Sequence, residues 1–233
     1  MDAIAQADTS AEPSIPIIIT HSAASLRTTL TRQQLIDLFP NLPFYIDPLR
    51  PNTYDLTSAV VTYQGIEATL RWREAEFQQP NEGILSSLPE AIEIYNALVF
   101  LGNKATSRAP RLLDKQIKKE IQKGISFDEY QSIWALRSLP CVDMFIDAIV
   151  RRILQIESKL VEAVENTSSH VELKEDIELQ EMAEVALQIL KWANSSASLK
   201  YRLQKMKADI EVRNKCGMLS VHHLSTVLET VQE

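Results

Sequence analysis

Four histidines and two cysteines are the side chains of this 233-residue chain best suited to ligate a metal or act as a nucleophile. Their spacing assembles neither chemistry. His222 and His223 are adjacent, so on a helix they point about 100° apart and do not converge on one ion. Cys141 follows Pro140 at the predicted start of a helix, a position that can lower a thiol pKa. No His or acid is placed locally to activate it, and it reads as a core residue at a helix start. Cys141 and Cys216 lack metal-ligand spacing and, in a reducing compartment, have no reason to pair. No Gly-rich phosphate loop, G-x-S-x-G, H-E-x-x-H or C-x-x-C occurs. Carboxylate groups such as Glu74/Glu76 and Glu172/Glu175/Asp176 stand in polar contexts and read as solvated faces. The sequence thus predicts no catalytic residue, no metal site and no cofactor, and a protein that is not an enzyme.

Charge narrows the partners. With 24 Lys+Arg against 31 Asp+Glu the net charge is -7, which argues against a general nucleic-acid binder, because counterion release needs a basic face on the phosphates. One local basic run, Lys104, Arg108, Arg111, Lys115, Lys118 and Lys119, continues to Lys123 with only Asp114 and Glu120 against it. It reads first as a solvated helix face and second as a patch for an acidic partner or a phosphate backbone. Acidic residues dominate 157–184, and Lys200 to Lys215 forms a further basic stretch. No apolar run reaches the ~18 residues of a membrane span. Residues 1–14 (MDAIAQADTSAEPS) lack the features of a signal peptide and read as a disordered tail. These features predict an intracellular protein of the cytoplasm or nucleus, off the membrane, in which the N-x-S/T triplets at Asn166 and Asn194 are chance matches.

The elements that would carry these residues follow from periodicity and caps. Ile17-Ile18-Ile19-Thr20 suits a buried strand, with Leu26 to Leu30 as its hairpin partner and Ser22 to Ser25 as the turn. Thr31 caps a short helix, Arg32 to Phe39, halted by Pro40. Asn41 to Pro51, with three prolines, is predicted to be mostly extended, and Tyr54-Asp55-Leu56-Thr57 to be a strand. Thr62 caps a helix over Gln64 to Trp72. Leu88-Pro89-Glu90 opens another, with Pro near N1, ended by Gly102. A helix over 111–123 closes at Gly124. Ser126 with Glu129 forms a capping box for the next. From Pro140, Val142, Ile146, Ile149, Ile153, Ile156, Leu160 and Val164 step by four and three along one long amphipathic helix, read as a bundle seam. Asn166 to His170 reads as a polar loop, and helices at about 172–192 and 198–215 and a short one through His222-His223 follow. The fold class predicted is α+β and helix-rich, a small sheet flanked by helices and then an α-helical extension.

The order strand, hairpin strand, helix (TRQQLIDLFPNLPFY), strand (YDLTS), helix (VTYQGIEATLRWRE), helix (LPEAIEIYNALVFLG) and basic helix resembles a BTB/POZ domain, in particular the divergent fungal members. Tyr95-Asn96-Ala97-Leu98-Val99-Phe100-Leu101 resembles that family's Tyr-x-Ala-x-x-Leu helix. The resemblance covers about Ile15–Leu139. The opening Asp-Val strand and the His-Lys before the first helix are missing, the first hairpin turn has no glycine, and no residue is placed at the acidic cullin-contact position. The resemblance implies a tail at 1–14, a BTB/POZ-like domain at 15–139 and a helical extension at 140–233. It also implies an adaptor whose partners are proteins, a second copy in a homodimer or a cullin-type scaffold. Its partner or dimer face would include Ile17, Ile18, Ile19, Leu35, Phe39 and Phe44. The competing expectation is a mainly helical scaffold or regulatory subunit unrelated to BTB.

Overall fold

The computed structural model describes residues 17–78, 87–167 and 177–212. They form a helix-rich α+β structure with four strands and eight α-helices among the described residues. The tail at 1–14, the loop at 168–170 and the short helix through His222-His223 lie outside them. Residues up to Lys115, with Leu139–Cys141, make one compact unit, and Gln116–Ser138 with Val142 onward make a second. This division falls inside the basic helix, between Lys115 and Gln116.

In the first unit, β1 (Ile17–His21) and β2 (Ala24–Thr28) form an antiparallel hairpin, Ile17 pairing with Thr28 and His21 with Ala24. The turn is only Ser22-Ala23, two residues shorter than predicted. Ser22 takes the left-handed backbone (φ 54°) that glycine would adopt more easily, and its N–H is held by Thr57 Oγ1 at 3.0 Å. α1 (Arg32–Leu38) opens on a complete capping box between Thr31 and Gln34. The first part of the segment predicted to be mostly extended is not extended, whereas Ile46–Asp47 and Arg50–Pro51 are. Leu42–Tyr45 is a 3-10 turn with Pro43 in its first turn, because proline's fixed φ suits a helical start as well as an extended chain. β3 (Ile46–Asp47) then pairs antiparallel with β4 (Arg50–Asp55), which runs parallel to β1. The sheet order is β2-β1-β4-β3.

α2 (Tyr63–Gln78) and α3 (Leu88–Phe100) pack against one another, and α2 also meets β2. Thr62 caps α2, accepting the Gly65 N–H at 2.9 Å, and donates to Glu93 of α3 at 2.8 Å. Gly65 lets the two helices approach: a Cβ there would stand 3.0 Å from the Glu93 carbonyl oxygen. Gly102 (φ +111°) stops α3 as predicted, against Asn41, whose N–H donates to the Leu101 carbonyl at 2.7 Å. The buried set includes Leu35, Phe39, Leu42, Tyr54, Leu56, Ile66, Ile92, Tyr95 and Leu98. Leu139–Cys141 joins this unit through buried Asn96, whose Oδ1 accepts from the Cys141 N–H (3.2 Å) and whose Nδ2 donates to the Val60 carbonyl (3.3 Å).

The second unit is helical. α4 (Arg108–Lys123) enters it at Gln116. α5 (Phe127–Ala135) starts on the Ser126/Glu129 capping box and ends in a 3-10 turn, Leu136–Ser138. α6 (Asp143–Thr167) buries Ile146, Ile149 and Ile153 of the predicted seam, with Phe145 and Val150 beside them; Ile156 is half-buried, and the side chains of Leu160 and Val164 lie outside those described. Its end at Thr167 places Asn166 in helix rather than loop. α7 (Ile177–Ser195) packs on α5 and α6, and α8 spans residues 197–212. Trp192 meets Phe127 and Trp134 edge-on, with centroids 6.0 and 6.5 Å apart.

Candidate functional site

Among the described residues, the side chains with chemical potential do not converge. Cys141 is half-buried and burial pushes its thiol pKa up, away from the reactive thiolate. Burial also raises Tyr95, with Asp114 and then Cys141 adding to the effect. It takes Tyr130 to about 12 against the opposing pull of Arg152. Among the described residues no group of three or more His, Cys, Asp or Glu side chains could hold a metal, and no helix is long and apolar enough to cross a membrane. His222, His223 and Cys216 lie outside the described residues.

The expected partner face divides sharply. Ile17, Ile19, Leu35 and Phe39 are buried in the first unit, Leu35 and Phe39 completely, and Ile18 is half-buried. Four of the six side chains are therefore core, since a strand covered on one face and the inner stripe of a short helix use their apolar residues within the subunit. Phe44 is different: it is 84% exposed. Periodicity could not separate it from the others, because the 3-10 turn that carries it has neither the strand nor the α-helix repeat.

Leu49, which the sequence reading did not select, is 89% exposed, and Ile46 is 39% exposed. Leu49 sits at the tip of the β3–β4 hairpin. There Asp47 Oδ1 accepts the Leu49 N–H at 2.9 Å and Asp47 Oδ2 accepts Arg50 Nε at 2.7 Å. The Leu49 N–H and the Arg50 guanidinium hold the Asp47 carboxyl below the ordinary carboxylate value despite an opposing desolvation. The tip is thus a locally braced turn that presents an apolar side chain to solvent. Its only sequence signal is the Asp-Pro-Leu-Arg run, which marks a turn without saying what the leucine faces.

The basic residues lie as a solvated face. Lys104, Arg108, Arg111, Lys115 and Lys119 are exposed and Lys118 is half-buried. Lys123 pairs with Glu120 at 2.7 Å.

A concave surface lies wholly in the second unit. A groove of about 780 Å³ runs between the end of α5, α6 and α8, lined by Trp134, Arg137, Asp147, Arg151, Tyr201 and Lys205 among others. Arg202 fastens its walls: the guanidinium donates to Asp147 at 2.9 and 3.1 Å and to Asp143 at 3.0 Å. Burial lowers the Arg202 pKa, but these hydrogen bonds outweigh it and the net shift is upward. Lys207 and Glu157 add a further link at 2.7 Å.

Compared with protein-family models, curated proteins and solved structures, the chain gives no significant match.

Proposed function

We propose that this protein is a non-catalytic protein–protein interaction module whose first unit is BTB-like, binding a second copy or a protein partner such as a cullin-type scaffold through the surface around Phe44 and Leu49. The observation that carries the reading is the exposure of these two large apolar side chains, 84% and 89%, on a segment whose backbone is tied down. A single exposed leucine is ordinary. Two such side chains five positions apart, with exposed Ile46 between them on the edge strand β3, are what an interface anchor needs. The element order supports the BTB likeness: a hairpin, a short helix, a strand returning parallel beside β1, and a packed helix pair.

The test is light scattering across protein concentration together with partner capture, comparing the chain with a Phe44→Asp/Leu49→Asp variant. The wild-type chain is expected to self-associate or to capture a defined protein. The variant should lose at least about 2 kcal/mol of that binding, roughly thirtyfold. Its circular dichroism should not change, because both side chains already stand in solvent. A wild-type monomer at every concentration that captures nothing, or association that the variant leaves intact, defeats the proposal.

A further inference from the structure

The groove of the second unit carries an excess of positive charge in an acidic protein. Its lining holds four cations, Arg137, Arg151, Arg202 and Lys205, against two carboxylates, Asp147 and Asp209, while the chain as a whole stands at -7. Arg202 is already matched by Asp143 and Asp147. Among the described residues no salt bridge engages Arg137, Arg151 or Lys205. Counted with Asp143, the site holds four cations against three carboxylates, and Arg137, Arg151 and Lys205 are the cations left outside these ion pairs.

Their setting favours recognition over simple solvation. The Arg137 guanidinium lies 5.4 Å from the Trp134 ring centroid and donates to the Trp134 carbonyl at 3.0 Å. It is therefore held in one orientation with donors to spare, the state in which an arginine loses least entropy on gripping a carboxylate. Trp134 is itself fixed against Trp192. The same lining includes apolar side chains: Tyr201 is 68% exposed and Ile210 43% exposed, and Met206 is a third.

We propose that this groove binds an acidic peptide segment of a protein partner. Its carboxylates would engage Arg137, Arg151 and Lys205, and an interleaved apolar side chain would rest on Tyr201 and Ile210. Charge complementarity selects the acidic partner. At about 780 Å³, with Tyr201, Met206 and Ile210 in its lining, the groove is larger and more apolar than a compact anion needs. Three cations beside Asp143, Asp147 and Asp209 are too few for a nucleic-acid backbone. This inference concerns the second unit and does not depend on the Phe44/Leu49 surface.

The experiment is fluorescence anisotropy on the full chain with a short labelled peptide of alternating glutamate and leucine. The same peptide with glutamine for glutamate and a single-stranded oligonucleotide of equal charge serve as controls. The glutamate peptide is expected to bind and the glutamine peptide to bind at least about tenfold more weakly. Arg151→Glu/Lys205→Glu should weaken the glutamate peptide about as much without changing the unfolding curve, because both side chains are exposed. Tyr201→Ala, which leaves every charge in place, should weaken it severalfold. Equal binding of the two peptides, indifference to the charge reversal, or tighter binding of the oligonucleotide overturns the proposal.

Discussion

Glu74 gathers three donors on one carboxylate oxygen: the Thr28 hydroxyl at 2.8 Å, and the Thr29 N–H and hydroxyl at 3.0 Å each. It ties the end of β2 to α2. Desolvation pushes its pKa up, but the Thr29 and Thr28 hydrogen bonds outweigh that and hold it below 4.5. A depressed carboxylate stabilises the fold above the unfolded-state value and loses that contribution as pH falls through the folded value. Glu74→Gln should therefore cost about 1 kcal/mol near neutral pH, a figure discounted for solvent screening at a half-buried group. The difference from wild type should shrink as pH drops below about 4.5, read from thermal unfolding across pH. Asn96 does a comparable job by burial rather than charge. Asn96→Ala leaves the Val60 carbonyl and the Cys141 N–H without the amide that satisfies them, a loss of about 2–3 kcal/mol, measurable as a lower urea midpoint. Tyr95 to Ala97 resembles a family helix, but nothing in the sequence tells that Asn96 reaches Cys141, 45 residues away.

Helix propensity and packing disagree at Gly65, and the packing should win. In an open helix interior Gly→Ala gains about 1 kcal/mol. Here the new methyl would meet the Glu93 carbonyl oxygen at 3.0 Å and Thr62 Oγ1 at 2.9 Å. Forcing α2 off α3 costs about 1–3 kcal/mol, so Gly65→Ala should be neutral to destabilising and Gly65→Val clearly destabilising by chemical denaturation. A stabilised alanine variant would show that the helices move apart freely. The capping boxes at Thr31/Gln34 and Ser126/Glu129 and the helix stop at Gly102 were legible in advance, because each depends on residues within three or four positions. The hairpin turn was not. Without glycine or Asn-Gly, the Ser22-Ala23 turn carries no turn signature, and its register is set by pairing across the strands.

For the whole molecule, the two proposed surfaces differ in what drives them, and salt should separate them. Apolar association around Phe44 and Leu49 should persist or strengthen as ionic strength rises, whereas peptide binding in the groove should weaken. Parallel weakening of both in a salt titration would mean that charge, not apolar burial, holds the first. The sequence by itself determined the helix-rich α+β class, most caps and stops, and the apolar stripe of α6, since these rest on local backbone chemistry and on periodicities of a few residues. It also made plain that the histidines and cysteines share no motif. Only the tertiary structure decided which apolar residues are core and which are surface, turning Leu35 and Phe39 inward and leaving Phe44 and Leu49 in solvent. Only it gathered Arg137, Arg151 and Lys205 from three separate elements along one groove. The physical reason is the same in both cases: burial and charge proximity are properties of residues distant in the chain, and no local pattern records which neighbours they will meet.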